Sequence, residues 1–187
     1  MGCAFSLEAW IRGKVSRKSF VEKAEHRGSG GMDEFKVFKT FKERGEWVEA
    51  LFIADALRHG YKVLKPWGDS SSFDVALHFG NRIVRVQVKS TSNRYGTGYL
   101  CQFKPNYFSD PYTLDQLDFF AAYVIMQNTW YLIPAPVILG GEVNKQAIML
   151  FPMEPEKRGR YLYESYREAW PLLRPRQRNP KPRSGKK

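Results

Sequence analysis

The stretch from Phe73 to Lys89 constrains this chain most. Phe73, Val75, Leu77 and Phe79 alternate with Asp74, Ala76 and His78; after Gly80-Asn81, Val84, Val86 and Val88 alternate with Arg85, Gln87 and Lys89. Alternation with a period of two means strands that bury one face. Gly80-Asn81 suits a two-residue turn, because both residue types tolerate positive φ. That turn sets Phe79 opposite Arg82 and Asp74 opposite Gln87. Lys89 projects from the same face two residues further on. A carboxylate, a carboxamide and an ammonium group thus converge on one face of a β-ribbon, and the fold must accommodate them.

The sequence before the ribbon predicts a helix from Phe35 to His59, clearest from Arg44 onward. The run Trp47–Leu57 is apolar on most of its circumference, and Arg58-His59-Gly60 supplies basic residues and a glycine to end it. A helix this apolar is expected to lie largely buried against a sheet. Glu49 stands out within it, because an ionised carboxylate on an apolar helix face needs a partner or a metal. The plain alternative is that Glu46 and Glu49 edge the apolar stripe and pair with Lys42 or Arg44. Tyr61–Lys65 reads as a strand, and Pro66–Ser72 as a loop rich in turn formers.

Beyond the ribbon, Ser90–Gly98 is a polar loop and Tyr99–Lys104 a strand. Leu114–Asp118 is expected to be helical, followed by a strand from Phe119 to Met126, a turn at Gln127-Asn128, and a partner strand Thr129–Pro134 that ends at its proline. Residues 135–160 are mixed, with Ile148–Phe151 a short strand. Leu162, Tyr166 and Trp170 have helical spacing, which predicts a helix over Tyr161–Trp170 closed by Pro171. The fold class is α/β, in the form of an α+β mixed sheet.

Charge divides the chain into three. Of 187 residues with a net charge of +11, residues 174–187 hold seven basic side chains and no acid, and residues 1–31 hold six basic and three acidic. Residues 32–173 are nearly neutral, with 17 basic and 16 acidic. We therefore expect a flexible basic N-terminal segment (1–31) ending in a glycine-rich linker, one domain (32–173), and a disordered basic tail (174–187). Met32, just after the linker, is a second candidate start. A basic tail fits nucleic acid or another polyanion, and equally a solubilising terminus. Cys3 and Cys101 match no zinc or redox spacing and fit a reducing cytoplasm. No run approaches the ~18 apolar residues of a membrane span, and no secretory signal is expected.

An acidic residue on a first helix, then Ser-x-Asp before a strand, then an acid or amide, one residue and a lysine on the next strand, resembles the PD-(D/E)XK nuclease superfamily. The matching residues are Glu49, Asp74, Gln87 and Lys89. The strings Gly68-Asp69-Ser70, Phe73-Asp74 and Arg85-Val86-Gln87-Val88-Lys89 are similar to small prokaryotic endonuclease domains with a D…QxK variant of the motif, and Tyr131-Leu132-Ile133-Pro134 resembles the strand closing their core. The resemblance spans roughly residues 42–134. It implies a restriction-endonuclease-like core, ordered helix, β-hairpin, strand, helix, strand. It departs from the superfamily pattern at Phe73, where a proline is usual, and at Gln87, where an amide replaces a carboxylate and removes one negative charge.

The resemblance implies a DNA endonuclease. Phosphodiester hydrolysis needs a hard divalent cation, Mg2+ or Mn2+, bound by oxygen. Asp74 would be its main ligand, with the Gln87 amide oxygen, the Val88 backbone carbonyl and Glu49 completing the shell. Lys89 would hold the attacking water and stabilise developing negative charge. Ser70, Ser72, Arg94 and Tyr95 border the cluster as candidates for nucleic-acid contact, and Arg174, Arg176 and Arg178 would add sequence-independent affinity. Each residue also has a structural alternative: Asp74 capping a turn with Ser72, Gln87 pairing across strands, Lys89 facing solvent. The competing function is a catalytically inactive nucleic-acid-binding module on the same fold. A homodimer is expected, since cutting both strands of a duplex calls for two sites.

Overall fold

The computed structural model describes residues 38–68, 71–104, 110–141, 145–153 and 161–175. The expected N-terminal segment 1–31 and all of the basic tail beyond Pro175 lie outside the described residues.

Helix α1 runs from Phe41 to Arg58. Thr40 caps it: its hydroxyl accepts from the Glu43 N–H at 3.1 Å, and the Glu43 carboxylate reaches back to the Lys39 N–H at 2.7 Å, a reciprocal arrangement that satisfies the first-turn donors. At the other end Gly60 takes φ of 76°. The N–H groups of Tyr61 and Gly60 return to the carbonyls of Ala56 and Leu57, the two bonds of a Schellman motif. The helix is less buried than its composition suggests. Only Val48, Phe52 and Ala56 are buried, whereas Leu57 is 56% exposed. The sheet covers a single stripe.

Strands β1 (Lys62–Leu64), β2 (Val75–Phe79), β3 (Arg82–Thr91), β6 (Phe119–Val124) and β7 (Thr129–Pro134) form a five-stranded sheet in that order. Only β3 and β6 are parallel. Strands β4 (Arg94–Tyr95), β5 (Gly98–Gln102) and β8 (Ala147–Leu150) make a second, antiparallel sheet. The β2–β3 hairpin has the expected register, Phe79 opposite Arg82. Gly80 alone supplies positive φ, at 63°, as in a II′ turn with glycine first.

Each face of the large sheet buries its own core. On one, Val75, Leu77, Val84, Val86 and Val88 meet Val48, Phe52 and Ala56 of α1, closed off by Trp170 and Leu173. On the other, Phe120, Ala122, Tyr131 and Ile133 meet Tyr99, Cys101, Ile148 and Leu150 of the second sheet and Ile138 of α2, a short helix over Ala135–Leu139 that the sequence did not reveal. Asp74, Gln87 and Lys89 alternate with the valines of the first core and so belong to the second face.

Two predicted helices are absent. Thr113–Gln116 makes one turn only, closed by Gln116 N–H on the Thr113 carbonyl. Asp118 is held by Arg85, backbone N–H at 2.8 Å and Nε at 3.1 Å, which draws the chain straight into β6. Tyr161–Trp170 is also not an α-helix. A 3-10 turn at Glu164–Tyr166 is followed by Glu168 at φ of 50°. Both acids bond back to the rest of the fold, Glu164 fully buried and Glu168 from an exposed position. Glu164 accepts from the Tyr131 hydroxyl (2.8 Å) and the Phe151 N–H (3.0 Å), and Glu168 accepts from the Trp130 N–H (2.6 Å). These bonds to strands replace the i to i−4 ladder a helix would have used.

Candidate active site

Asp74 sits one residue before β2. Its N–H donates to the Val86 carbonyl at 3.1 Å, one residue off the hairpin register, so the regular ladder ends at Val75–Val86 and it is the Asp74 side chain that reaches Gln87 and Val88. Its Oδ2 accepts from Gln87 Nε2 at 2.6 Å and from the Val88 N–H at 2.7 Å. One carboxylate oxygen is thereby fixed by two donors from β3. Burial pushes the Asp74 carboxyl up to about 6, and the negative charge of Glu49 pushes the same way; the Val88 and Gln87 hydrogen bonds and the Lys89 charge oppose it. Asp74 and Glu49 are thus close enough to repel.

Glu49 comes from the middle of α1. The plain alternative paired Glu46 and Glu49 with Lys42 or Arg44. It holds for Glu46, which Lys42 reaches at 3.9 Å, but not for Glu49, where Lys65, just after β1, places its Nζ 2.8 Å from Oε2. The hydrogen bond to Glu49 raises the Lys65 ammonium above its ordinary range, with the charges of Asp74 and Glu46 adding to it. Lys65 therefore pairs with Glu49 and lies within the field of Asp74.

Gln87 is buried, 7% exposed. With Nε2 spent on Asp74, its Oε1 remains available as an acceptor. Val88 directs its N–H toward Asp74, and the carbonyl of a strand residue points to the same side as its N–H. Lys89 is half-buried, with its Nζ 5.3 Å from the ring centroid of Tyr112; that ring packs edge-on to Phe120, the β6 residue beside Gln87. Behind the lysine, burial pushes the Cys101 thiol up to about 12, so Cys101 is a neutral core residue.

Asp74 is therefore bonded to Gln87 and lies within reach of the charges of Lys89, from the same hairpin, and of Glu49, which α1 brings in. Among the described residues, no three His, Cys, Asp or Glu side chains converge. The donor set is instead two carboxylates, one amide oxygen and one main-chain carbonyl. That set fits a hard cation: it is all oxygen, and two repelling carboxylates, one of them raised by burial, are the groups a cation between them would stabilise.

The bordering residues are distributed unevenly. Ser72 lies half-buried in the loop before Asp74. Arg94 is exposed, its Nε on the Gly96 carbonyl at 3.1 Å. Tyr95 packs against Leu100, Met149 and Phe151 in a small separate cluster. Arg174 lies over the Tyr61 ring, 5.2 Å from its centroid. Tyr61 in turn touches Phe79, so Arg174 sits at the far end of β2 from Asp74. Ser70, Arg176 and Arg178 lie outside the described residues. Sequence reasoning missed Lys65 as the partner of Glu49, and it missed Trp67, which is 99% exposed. The Pro-Trp-Gly context signals a turn but not the outward aim of its aromatic.

Comparison with known proteins agrees with this geometry. A family model described as PD-(D/E)XK endonuclease matches residues 39–171. Among solved structures, the chain is similar to the bacterial homing endonuclease I-Ssp6803I, at 29% identity over 73% of this chain and 92% of that one, with a TM-score of 0.59. No curated protein matches significantly.

Proposed function

Since the chain belongs to the PD-(D/E)XK endonucleases, we propose that it hydrolyses phosphodiester bonds of DNA with a divalent cation, Mg2+ or Mn2+, held by Asp74, Gln87 and Glu49. The observation that carries this reading is the clamp on Asp74. Gln87 Nε2 and the Val88 N–H both bind Oδ2, which fixes the carboxylate and leaves its other oxygen for a cation, with the charge of Glu49 close enough to act on it. Family membership and the similarity to a homing endonuclease support DNA as the substrate.

Asp74 and Glu49 would supply charge to the cation, and the Gln87 Oε1 and Val88 carbonyl neutral oxygens. Bound there, the cation would offset negative charge on the pentacoordinate phosphorus and lower the pKa of a coordinated water. Gln87 has a second task, to orient Asp74. Lys89, on the same face and held near Tyr112, would hydrogen-bond the attacking water and carry positive charge toward the scissile phosphate. Lys65 and the exposed Arg94 would contact a DNA backbone as point charges.

The test is cleavage of a panel of labelled DNA structures in Mg2+ and Mn2+ by the wild-type, Asp74→Asn and Lys89→Ala proteins, beside gel shifts in Ca2+. Either substitution is expected to lower cleavage by about a thousandfold while Lys89→Ala still binds in Ca2+. Binding without cutting by the wild type in both active metals would instead make the chain a non-catalytic DNA-binding member of the fold. Full cleavage by Asp74→Asn would remove the proposed mechanism.

A further inference from the structure

Trp67 has no place in the chemistry above, and its setting is unusual. Trp130 and Trp170 are buried in the core, and Trp47 is half-buried against it. Trp67 is 99% exposed. Its loop is tied to the site at both ends. Lys65, two residues before it, binds Glu49, and Asp74, seven residues after it, is clamped by Gln87 and Val88. Pro66 restricts the backbone on one side of the tryptophan, and Gly68 turns it on the other at φ of 79°. Two residues of chain separate the Cα atoms of Trp67 and Lys65 by no more than about 7 Å, which sets the tryptophan's backbone beside that of the lysine paired with Glu49. Lys65 is exposed near it, and Lys62 is exposed at the other end of β1, on the same edge of the sheet; both are cations that suit a phosphate backbone.

We propose that Trp67 is a wedge for duplex DNA: when the scissile phosphate sits at Asp74 and Glu49, the indole stacks on, and partly unstacks, a base flanking that phosphate. The inference rests on the DNA-endonuclease reading. The chemistry of the side chain selects the partner. A flat, apolar, uncovered ring beside lysines matches a base face beside a phosphate, and base–aromatic stacking carries useful affinity without sequence readout. Apolar side chains inserted at a base step also bend the duplex, which would present the phosphate to the carboxylate pair.

The experiment uses the full chain and DNA duplexes with 2-aminopurine on either side of the cleaved phosphate, once cleavage has been mapped. In Ca2+, binding of the wild type is expected to raise 2-aminopurine fluorescence severalfold at one flanking position, Trp67→Phe to retain most of the rise, and Trp67→Ala to abolish it. In Mg2+ or Mn2+, Trp67→Ala is expected to cut intact duplex about tenfold to a hundredfold more slowly. On a duplex carrying a mismatch at that step, which needs no unstacking, it should come within about threefold of wild type. An unchanged fluorescence rise with Trp67→Ala overturns the proposal, as does an equal loss on intact and mismatched DNA. Failure of the nuclease reading looks different: a wild type that cuts no DNA, whatever the fluorescence shows in Ca2+.

Discussion

Lys65 Nζ stands 2.8 Å from Glu49 Oε2, so a lysine holds the carboxylate that the proposed cation would use. With 55% of the Lys65 side chain exposed, the pair is worth no more than about 1 kcal/mol, weak enough for a divalent ion to displace. Lys65→Met removes that competitor. Mn2+ affinity of the DNA-free protein, measured by calorimetry, is expected to rise about two- to fivefold, with thermal stability lowered by less than about 1 kcal/mol. Unchanged or weaker Mn2+ binding would show that Lys65 and the metal do not share Glu49.

Gln87 is where this chain departs from the family's carboxylate, and the 2.6 Å contact between its Nε2 and Asp74 Oδ2 gives the amide a role. A glutamate at that position would set two carboxylates against each other in a mostly buried place. Gln87→Glu is therefore expected to destabilise the metal-free protein by about 1–3 kcal/mol and to gain more melting temperature from saturating Mg2+ than the wild type does. Melting curves in EDTA and in Mg2+ decide it. Equal stability in EDTA would mean the amide is not needed to orient Asp74.

How much of this was legible depended on how local the cause was. The hairpin register and the strand Thr129–Pro134 follow from alternation, a Gly-Asn turn and a terminal proline, all within a few residues of the element they set. The helix predicted over Tyr161–Trp170 failed although Leu162, Tyr166 and Trp170 have the right spacing, because Glu164 and Glu168 are acceptors for Tyr131, Phe151 and Trp130, and no local pattern announces that an acid will bond back to the rest of the fold. Asp118 likewise ends a turn that looked helical because its partner Arg85 is on a distant strand. In the site, the convergence of Asp74, Gln87 and Lys89 could be read from register alone. The Lys65–Glu49 pair and the outward Trp67 could not, since both depend on how α1 lies across the sheet edge.

Tyr112 bears on the lysine. Its ring centroid is 5.3 Å from Lys89 Nζ and its position is fixed against Phe120. A ring at that range attracts an ammonium by about 0.5–2 kcal/mol. Tyr112→Phe keeps the ring and is expected to cut DNA within about twofold of wild type; Tyr112→Leu removes it and is expected to lower kcat about three- to thirtyfold with little change in KM. Steady-state kinetics on one oligonucleotide substrate suffice. If Phe and Leu behave alike, the ring does not position Lys89.

Glu164 tests a part of the fold that takes no part in the proposed chemistry. Its carboxylate is fully buried, with Oε1 accepting from the Tyr131 hydroxyl and the Phe151 N–H, and Arg167 3.7 Å from Oε2. Removing the acid leaves two buried donors without their acceptor and a mostly buried guanidinium without its counter-charge, the situation in which losing one partner costs far more than the pair contributes. Glu164→Ala is expected to lose about 3–5 kcal/mol in urea unfolding. Glu164→Gln, which keeps an acceptor oxygen but not the charge opposite Arg167, is expected to lose less. Because this network ties the segment after Tyr161 to β7, and Trp170 in that segment closes the core over Phe52, the alanine variant should also expose Trp170, seen as a red shift of tryptophan emission before global unfolding. A cost below about 1 kcal/mol, the level expected of an exposed polar contact, would mean that the carboxylate is dispensable to the packing of this segment.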